Sequence, residues 1–415
     1  MAEFGYVGWK ALVYVFIACI ILSIMRILLL AFFAIKEYRK EKREKLLPLA
    51  GAPNVSIIVP AYNEEVNAVR SLNNLLKSDY PNFDIIFVDD GSKDTTYEKV
   101  STAFAGNSKV RVLTKPNGGK ASALNYGISQ TEAEYVLCID ADTNLLHNAL
   151  ELLSRHFRDS NVAAVAGNVK VGNEVNLLTR WQNIEYTTSQ NFDRNAFASI
   201  NAITVVPGAI GLFRKKAIEN AGGFTSDTYA EDCDLTMRML RAGYVIRNEN
   251  KAIAMTEAPE SLSQFLKQRF RWSFGVMQSF WKNRDALFNG DYGALGWVAL
   301  PNILVFQILI PLIAPLADVF MFIGIFTGNA TMILEYYALF MLVDLAVGVL
   351  AFAFERENIL KLVWLIPQRI VYRWLMLYIL YKAIRRAIKG QLQSWGVLKR
   401  TGNMLENPRL KSFKI

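Results

Sequence analysis

The sequence is short of the side chains most enzymes use for metal binding and nucleophilic catalysis. Among 415 residues there are three cysteines and two histidines. Cys19, Cys138 and Cys233 form no CxxC pair, which argues against a disulfide framework and a zinc knuckle. His147 and His156 are too few for a histidine-based metal site or a conventional serine triad. No GxGxxG follows the first apolar strand, and Gly118-Gly119-Lys120 is too short for a Walker loop. A dinucleotide dehydrogenase and an ATPase are thereby disfavoured. Charge is also sparse, 20% of residues against about 25% in ordinary globular domains. The remaining chemistry must run on carboxylates, amides, arginine and lysine.

What is abundant is apolar length, 52% of residues, concentrated towards the two ends. Residues 11–35 form an apolar run broken only by Arg26, enough to cross a hydrocarbon core of about 30 Å. A signal peptide is the rival reading, but the run is long for one and a Lys-rich stretch stands where a cleavage site would be. That stretch, 36–45, has six basic and three acidic residues, placing the residues from 36 onward in the cytoplasm by the positive-inside tendency. Further apolar blocks lie at 294–327, with prolines at 301, 311 and 315, at 332–354, and at 359–381, with Lys361, Arg369 and Arg373. The first block reads as one kinked helix or as a hairpin broken near Pro311 and Pro315. Residues 382–400 hold six basic and no acidic residues, so an even number of C-terminal crossings is expected. Arg369 and Arg373 share a helical face, read either as snorkelling anchors or as the lining of a polar conduit.

Between the anchors the pattern is strand, polar loop, helix, repeated. Val55–Val59, Asp84–Val88, Lys109–Leu113 and Tyr135–Ile139 read as short buried strands, and Glu65–Lys77 as a helix. The expected fold is α/β: a Rossmann-like mixed sheet, with interfacial helices and flanking transmembrane helices. The expected organisation is an N-terminal membrane helix (1–35), a basic linker (36–52), the sheet domain (53–257), amphipathic interfacial helices (258–293), a C-terminal membrane region of three to four segments (294–388) and a cytoplasmic tail (389–415).

Three strands end in carboxylate-bearing or polar loops: Pro60-Ala61-Tyr62-Asn63-Glu64, Asp89-Asp90-Gly91-Ser92 and Asp140-Ala141-Asp142. Such loops are where open α/β sheets bind ligands. Asp140 and Asp142 are two apart, so both can point to one side. Beside a diphosphate they suit Mg²⁺ or Mn²⁺, which prefer oxygen ligands. Glu231-Asp232-Cys233-Asp234 opens a helical pattern with Leu235, Met239 and Leu240 inward. These acids serve either the helix dipole or chemistry, with Asp232 as a general base. Residues 264–284 carry five basic residues, no acidic one and interleaved aromatics. That is an amphipathic interfacial helix, in which Trp272 offers an apolar face to a sugar and Arg271 a fork to a diphosphate. A nucleic-acid groove is the weaker use of the same residues, because the stretch directly precedes a membrane block.

Taken together, in this order, these motifs resemble the processive membrane glycosyltransferases of family 2: the synthases of cellulose, chitin, hyaluronan and poly-N-acetylglucosamine. The resemblance covers residues 53–290. It implies a cytoplasmic GT-A domain that takes a UDP-sugar donor and a growing polysaccharide acceptor, embedded in membrane lipid, with room for a small accessory membrane subunit and none for nucleic acid. Pro60, Ala61, Tyr62, Asn63, Glu64 and Asp90 would hold the uridine, and Lys120 would sit near the nucleotide with Asp140. Asp142 would be the likelier direct metal ligand. Asp232, with Glu231, matches the base of a Thr-Glu-Asp motif whose first residue is Ala230 here. Gln268, Arg271 and Trp272 match a Gln-x-x-Arg-Trp motif bracing acceptor and pyrophosphate, and Gly208 and Ala209 would leave room for the acceptor sugar. The stretch VVPGAIGLFRKKAIENAGGF and the tail SWGVLKRTG are most similar to the bacterial poly-N-acetylglucosamine synthase branch. The alternatives are a non-processive enzyme adding one sugar to a lipid acceptor and a synthase of another β-glycan, of the hyaluronan, chitin or cellulose type. The central expectation is geometric: Asp90, Asp142, Asp232 and Trp272 line one pocket that opens onto the bilayer.

Overall fold

The computed structural model of the chain describes residues 2–44, 47–316, 318–319, 330–388 and 402. Its centre is an eight-stranded mixed sheet built on β1 (Val55–Ala61), β2 (Phe83–Asp89), β3 (Val110–Thr114), β4 (Tyr135–Cys138), β5 (Asn144–Leu145), β6 (Val162–Val171), β7 (Gly211–Arg214) and β8 (Val245–Thr256), in the order β3-β2-β1-β4-β7-β6-β8-β5. β1 lies between β2 and β4, parallel to both, with Ile57 opposite Ile85 on one side and Leu137 on the other. β7 runs antiparallel to β4 and β6. Every residue of β1 and β6 is buried, as their near-continuous apolar sequences require of strands covered on both faces. Full burial of a side chain such as Phe87 or Leu137 contributes roughly 1.5–3 kcal/mol each.

The polar loops therefore stand at the carboxyl ends of adjacent parallel strands, as expected. The strands differ from the sequence reading by one or two residues, and β1 runs on through Pro60 and Ala61. The helix after it spans only Ala68–Leu75 (α2). Residues 62–67 are instead tied to the loop after β2: the Asn63 N–H donates to Ser92 Oγ at 2.9 Å and the Glu64 N–H to Thr96 Oγ1 at 2.8 Å. Helices α3 (Thr96–Ala103), α4 (Lys120–Ser129) and α5 (Ala149–Ser154) follow β2, β3 and β5.

A long helical run then crosses over the sheet: α6 (Leu177–Glu185), one π-helical stretch (Tyr186–Asn191) and α7 (Phe192–Ala198). Asn176 caps it reciprocally with Thr179. α8 (Lys215–Asn220) and α9 (Glu231–Arg241) precede β8, and α10 (Leu262–Lys282) leads to the C-terminal membrane region. The inward residues of α9 are Leu235, Met239 and Leu240, all buried.

Among the described residues three stretches are long and apolar enough to cross a membrane by length and composition: Ile17–Arg43, Leu295–Ile313 and Tyr337–Phe354. With the sheet domain between them in sequence, this is the arrangement of a multi-pass membrane protein. The first belongs to α1 (Ala2–Arg43), which continues through the basic residues without a break. Leu295–Ile313 (α11) passes Pro301 and Pro311 as one helical run, with π-helical turns at Leu295–Ala299 and Ile303–Leu309. These wide turns accommodate the carbonyls that the prolines, having no N–H, leave without a donor. The run ends in a turn at Ala314, and residues 320–329 of the same apolar block lie outside the described residues. α12 (Ala330–Phe354) and α13 (Leu365–Ile388) complete the set. The tail 389–415 and its SWGVLKRTG motif lie outside the described residues apart from Gly402.

Candidate active site

A cavity of about 770 Å³ opens at the carboxyl ends of β1 and β4 and continues between the membrane helices. At its sheet end the wall includes Pro60, Tyr62, Glu64, Lys120, Asp140 and Asp142. Gly208, Ala209, Glu231 and Asp232 face it from the β7 and α9 side, and Gln268, Arg271 and Trp272 from α10. Its far end is lined by Arg26 and Leu30 of α1, Phe306 and Pro311 of α11, Asp344 of α12, and Arg369 and Arg373 of α13. Asp142, Asp232 and Trp272 thus share one pocket.

Asp90 does not line it. Its buried carboxylate accepts from the Gly118 N–H at 3.0 Å and the Gly119 N–H at 2.7 Å, and pairs with Lys115 Nζ at 2.7 Å. Ala61 is buried as the last residue of β1. Asn63 faces the next loop, its Oδ1 accepting from the Lys93 N–H at 2.8 Å. These three residues shape the loops around the pocket from behind.

Lys120, the first residue of α4, is the electrostatic hub. Its Nζ lies 2.5 Å from Asp140 Oδ1 and 3.3 Å from Glu231 Oε1. Burial alone would lower its affinity for a proton, but Asp140, Glu231 and Asp232 around it hold the ammonium well above its ordinary value. Gly208 makes this possible. A Cβ there would stand 2.6 Å from Lys120 Nζ.

Asp232 sits at the start of α9, where burial and then the neighbouring Glu231 charge push its carboxyl up to about 6, against the pull of Lys120 and two N–H donors. Those donors are the Cys233 N–H, 2.8 Å from Oδ1, and the Gly208 N–H, 3.2 Å from Oδ2. Held at both oxygens, with a proton affinity near neutrality, Asp232 has the orientation and basicity of a general base.

Sequence reading missed the support beneath Trp272. Arg269, nearly buried, donates to Glu185 Oε2 at 2.7 Å and lies 4.3 Å from the centre of the Trp272 ring. Tyr186 stands 6.2 Å from that ring, centre to centre. Glu185 ends α6 and Tyr186 begins the π-helical stretch that follows it; both are far away in sequence and carry no local pattern to mark them. Arg271, by contrast, has no ion pair among the described residues and borders the cavity.

A divalent cation fits the donor set at the sheet end. Asp140 and Asp142 present hard carboxylate oxygens to the same cavity. No group of three or more His, Cys, Asp or Glu side chains forms a complete ligand cage among the described residues. A metal there would draw the rest of its ligands from a bound diphosphate and water, the usual habit of Mg²⁺.

Residues 56–222 match the family model described as Glycosyl transferase family 2. That segment is similar to the family 2 glycosyl transferases. Over 222 residues it is 32% identical to the poly-beta-1,6-N-acetyl-D-glucosamine synthase of Staphylococcus aureus (strain COL), covering 53% of this chain and 54% of that one. The enzyme of the same name from Staphylococcus epidermidis (strain ATCC 35984) is 31% identical over 232 residues, 55% of this chain and 56% of the relative. The chain thus spans about half the length of the curated relatives it matches. The fold is similar to that of the mannosyltransferase PcManGT from Pyrobaculum calidifontis, solved in complex with GDP-Man and Mn²⁺. The TM-score is 0.65 over 92% of this chain and 98% of that one, at 20% identity. The mixed sheet is accordingly a GT-A fold with flanking apolar helices.

Proposed function

We propose that this protein is an inverting, processive synthase. It transfers a sugar from a UDP-sugar to the non-reducing end of a growing β-linked polysaccharide and feeds the product into the membrane. N-acetylglucosamine is the sugar favoured, because the similar staphylococcal enzymes carry it in their names. The observation that carries the reading is the single cavity running from Lys120, Asp142 and Asp232 past Trp272 to Arg369 and Arg373 among the apolar helices. The basic flank of α1 places the sheet domain on the cytoplasmic side, where nucleotide sugars are supplied.

In this mechanism the acceptor's terminal sugar rests on Trp272, whose ring is backed by Arg269 and Tyr186. Asp232 takes the proton of the acceptor hydroxyl. The hydroxyl oxygen bonds to C1 of the donor, the bond from C1 to the phosphate oxygen breaks, and its electron pair leaves with UDP. One displacement on an α-linked donor gives a β-linkage. Lys120 and Arg271 place positive charge near the leaving diphosphate. A Mg²⁺ or Mn²⁺ ion held by Asp142, with Asp140 beside it, would supply charge neutralisation to the same diphosphate. Pro60, Tyr62 and Glu64 would border the nucleoside, with Ala61, Asn63 and Asp90 shaping the loops behind it. Gln268, Gly208 and Ala209 would border the acceptor.

The test is a donor screen on membranes containing the full chain, with UDP release and product size read together. Turnover of a UDP-N-acetylhexosamine into polymer supports the reading, and a single-sugar glycolipid replaces the processive part of it. Asp232→Asn should retain UDP binding and lose transfer. Undiminished turnover in that variant removes the base assignment.

A further inference from the structure

The membrane end of the cavity carries charge, but the charge is paired. Arg26 of α1 meets Asp193 of α7 at 2.6 Å and also donates to Asn302 Oδ1 at 2.7 Å. Arg369 of α13 donates to both carboxylate oxygens of Asp344 on α12, at 2.7 and 3.0 Å. Arg373, one turn on, pairs with Asp318. At the entrance Arg269 is matched by Glu185. These four arginines thus each have their own carboxylate. Three other cations reach the cavity, of which Lys120 is matched by Asp140 and Glu231. Arg271 faces the proposed diphosphate site, and Arg194 is turned towards β6, donating to the Gly167 carbonyl at 3.1 Å.

We infer that this conduit is matched to an uncharged glycan and discriminates against a polyanion, with the Arg26–Asp193, Arg369–Asp344 and Arg373–Asp318 pairs as the specificity-determining residues. The inference rests on the polysaccharide-synthase reading and narrows its product class to chains without a carboxylate on every repeat. A paired arginine and carboxylate present donors and acceptors in equal measure, which suits the hydroxyl and amide groups of a neutral sugar. They offer no net positive charge to offset the desolvation of a carboxylate entering a low-dielectric passage. A path built for a polyanion would leave its arginines without carboxylate partners.

The experiment measures binding of fluorescently labelled oligosaccharides to the full chain in lipid nanodiscs, so it does not depend on turnover. The probes are a neutral β-linked N-acetylglucosamine hexamer and a hyaluronan hexamer of similar length. The neutral probe should bind at least roughly tenfold more tightly, the scale of one uncompensated charge. Asp344→Asn leaves Arg369 without its partner and should narrow the gap, whereas Arg369→Gln should widen it. The double variant Asp344→Asn/Arg369→Gln should return the ratio to that of the wild type. Two results overturn the inference: equal binding of both probes by the wild type, or a ratio that neither single variant moves. Failure of the synthase reading shows separately, as absence of UDP release with every donor.

Discussion

Gly275 of α10 lies directly against Ala230 at the head of α9. A Cβ on Gly275 would stand 2.6 Å from the Ala230 backbone nitrogen and 2.7 Å from its Cβ. This contact joins the helix that carries Gln268, Arg271 and Trp272 to the one that begins with Glu231 and Asp232. Because one clashing atom is backbone, no rotamer change can relieve an added methyl group. Gly275→Ala should therefore shift the two helices apart, at a stability cost of about 1–3 kcal/mol. It should lower kcat for transfer while leaving the donor KM near its original value, since the loops at the carboxyl ends of β1 and β4 do not move. Thermal unfolding and steady-state UDP release check both halves. A stability loss with unchanged kcat would show that the contact only packs the domain.

The acid limb of the rate profile should be set by Asp232. Its carboxyl is pushed up to about 6 by burial and by Glu231. The base works only when ionised, so kcat/KM should be level above that pH and fall about tenfold per unit below it. Glu231→Gln removes the neighbouring negative charge that helps raise the value. The limb should then move to lower pH. A limb that stays in place in this variant would mean that another group controls it.

Much of this site was legible because its chemistry-bearing residues sit next to local signals. Asp140 and Asp142 follow an apolar strand, and Asp232 opens an amphipathic helix, so pattern and position agreed. Asp90 followed the same rule yet turned away, because the loop before α4 offers it the N–H groups of Gly118 and Gly119. What local pattern could not reveal is pairing across long separations. Lys120 with Glu231, Arg269 with Glu185 and Arg26 with Asp193 join elements that meet only after the sheet and membrane helices pack. The π-helical turns of α11 were equally hidden, since prolines at 301 and 311 read locally as breaks.

Metal removal should abolish transfer, and Asp142 should set the affinity. Chelation with EDTA is expected to stop UDP release, and Mn²⁺ or Mg²⁺ to restore it. In Asp142→Asn one carboxylate charge is lost from a site with few protein ligands. The concentration of metal needed for half-maximal rate should rise by about tenfold or more. Titration of the metal at saturating donor measures this. Full activity after exhaustive chelation would show that Lys120 and Arg271 suffice for the leaving group.

The platform under the acceptor should fail when Glu185 is lost. Arg269 is nearly buried beneath Trp272, and Glu185 is its ion-pair partner. Glu185→Ala leaves that guanidinium without its carboxylate, at a cost of about 2–3 kcal/mol, below the full penalty for a buried pair because Glu185 keeps some contact with solvent. The side chain should then swing towards the cavity and take its support from the Trp272 ring. The expected signature is a raised acceptor KM with a nearly unchanged donor KM. Glu185→Asp, which keeps the charge on a shorter stem, should recover part of the loss. If both variants weaken donor and acceptor equally, the pair stabilises the whole domain and Trp272 does not depend on it for its orientation.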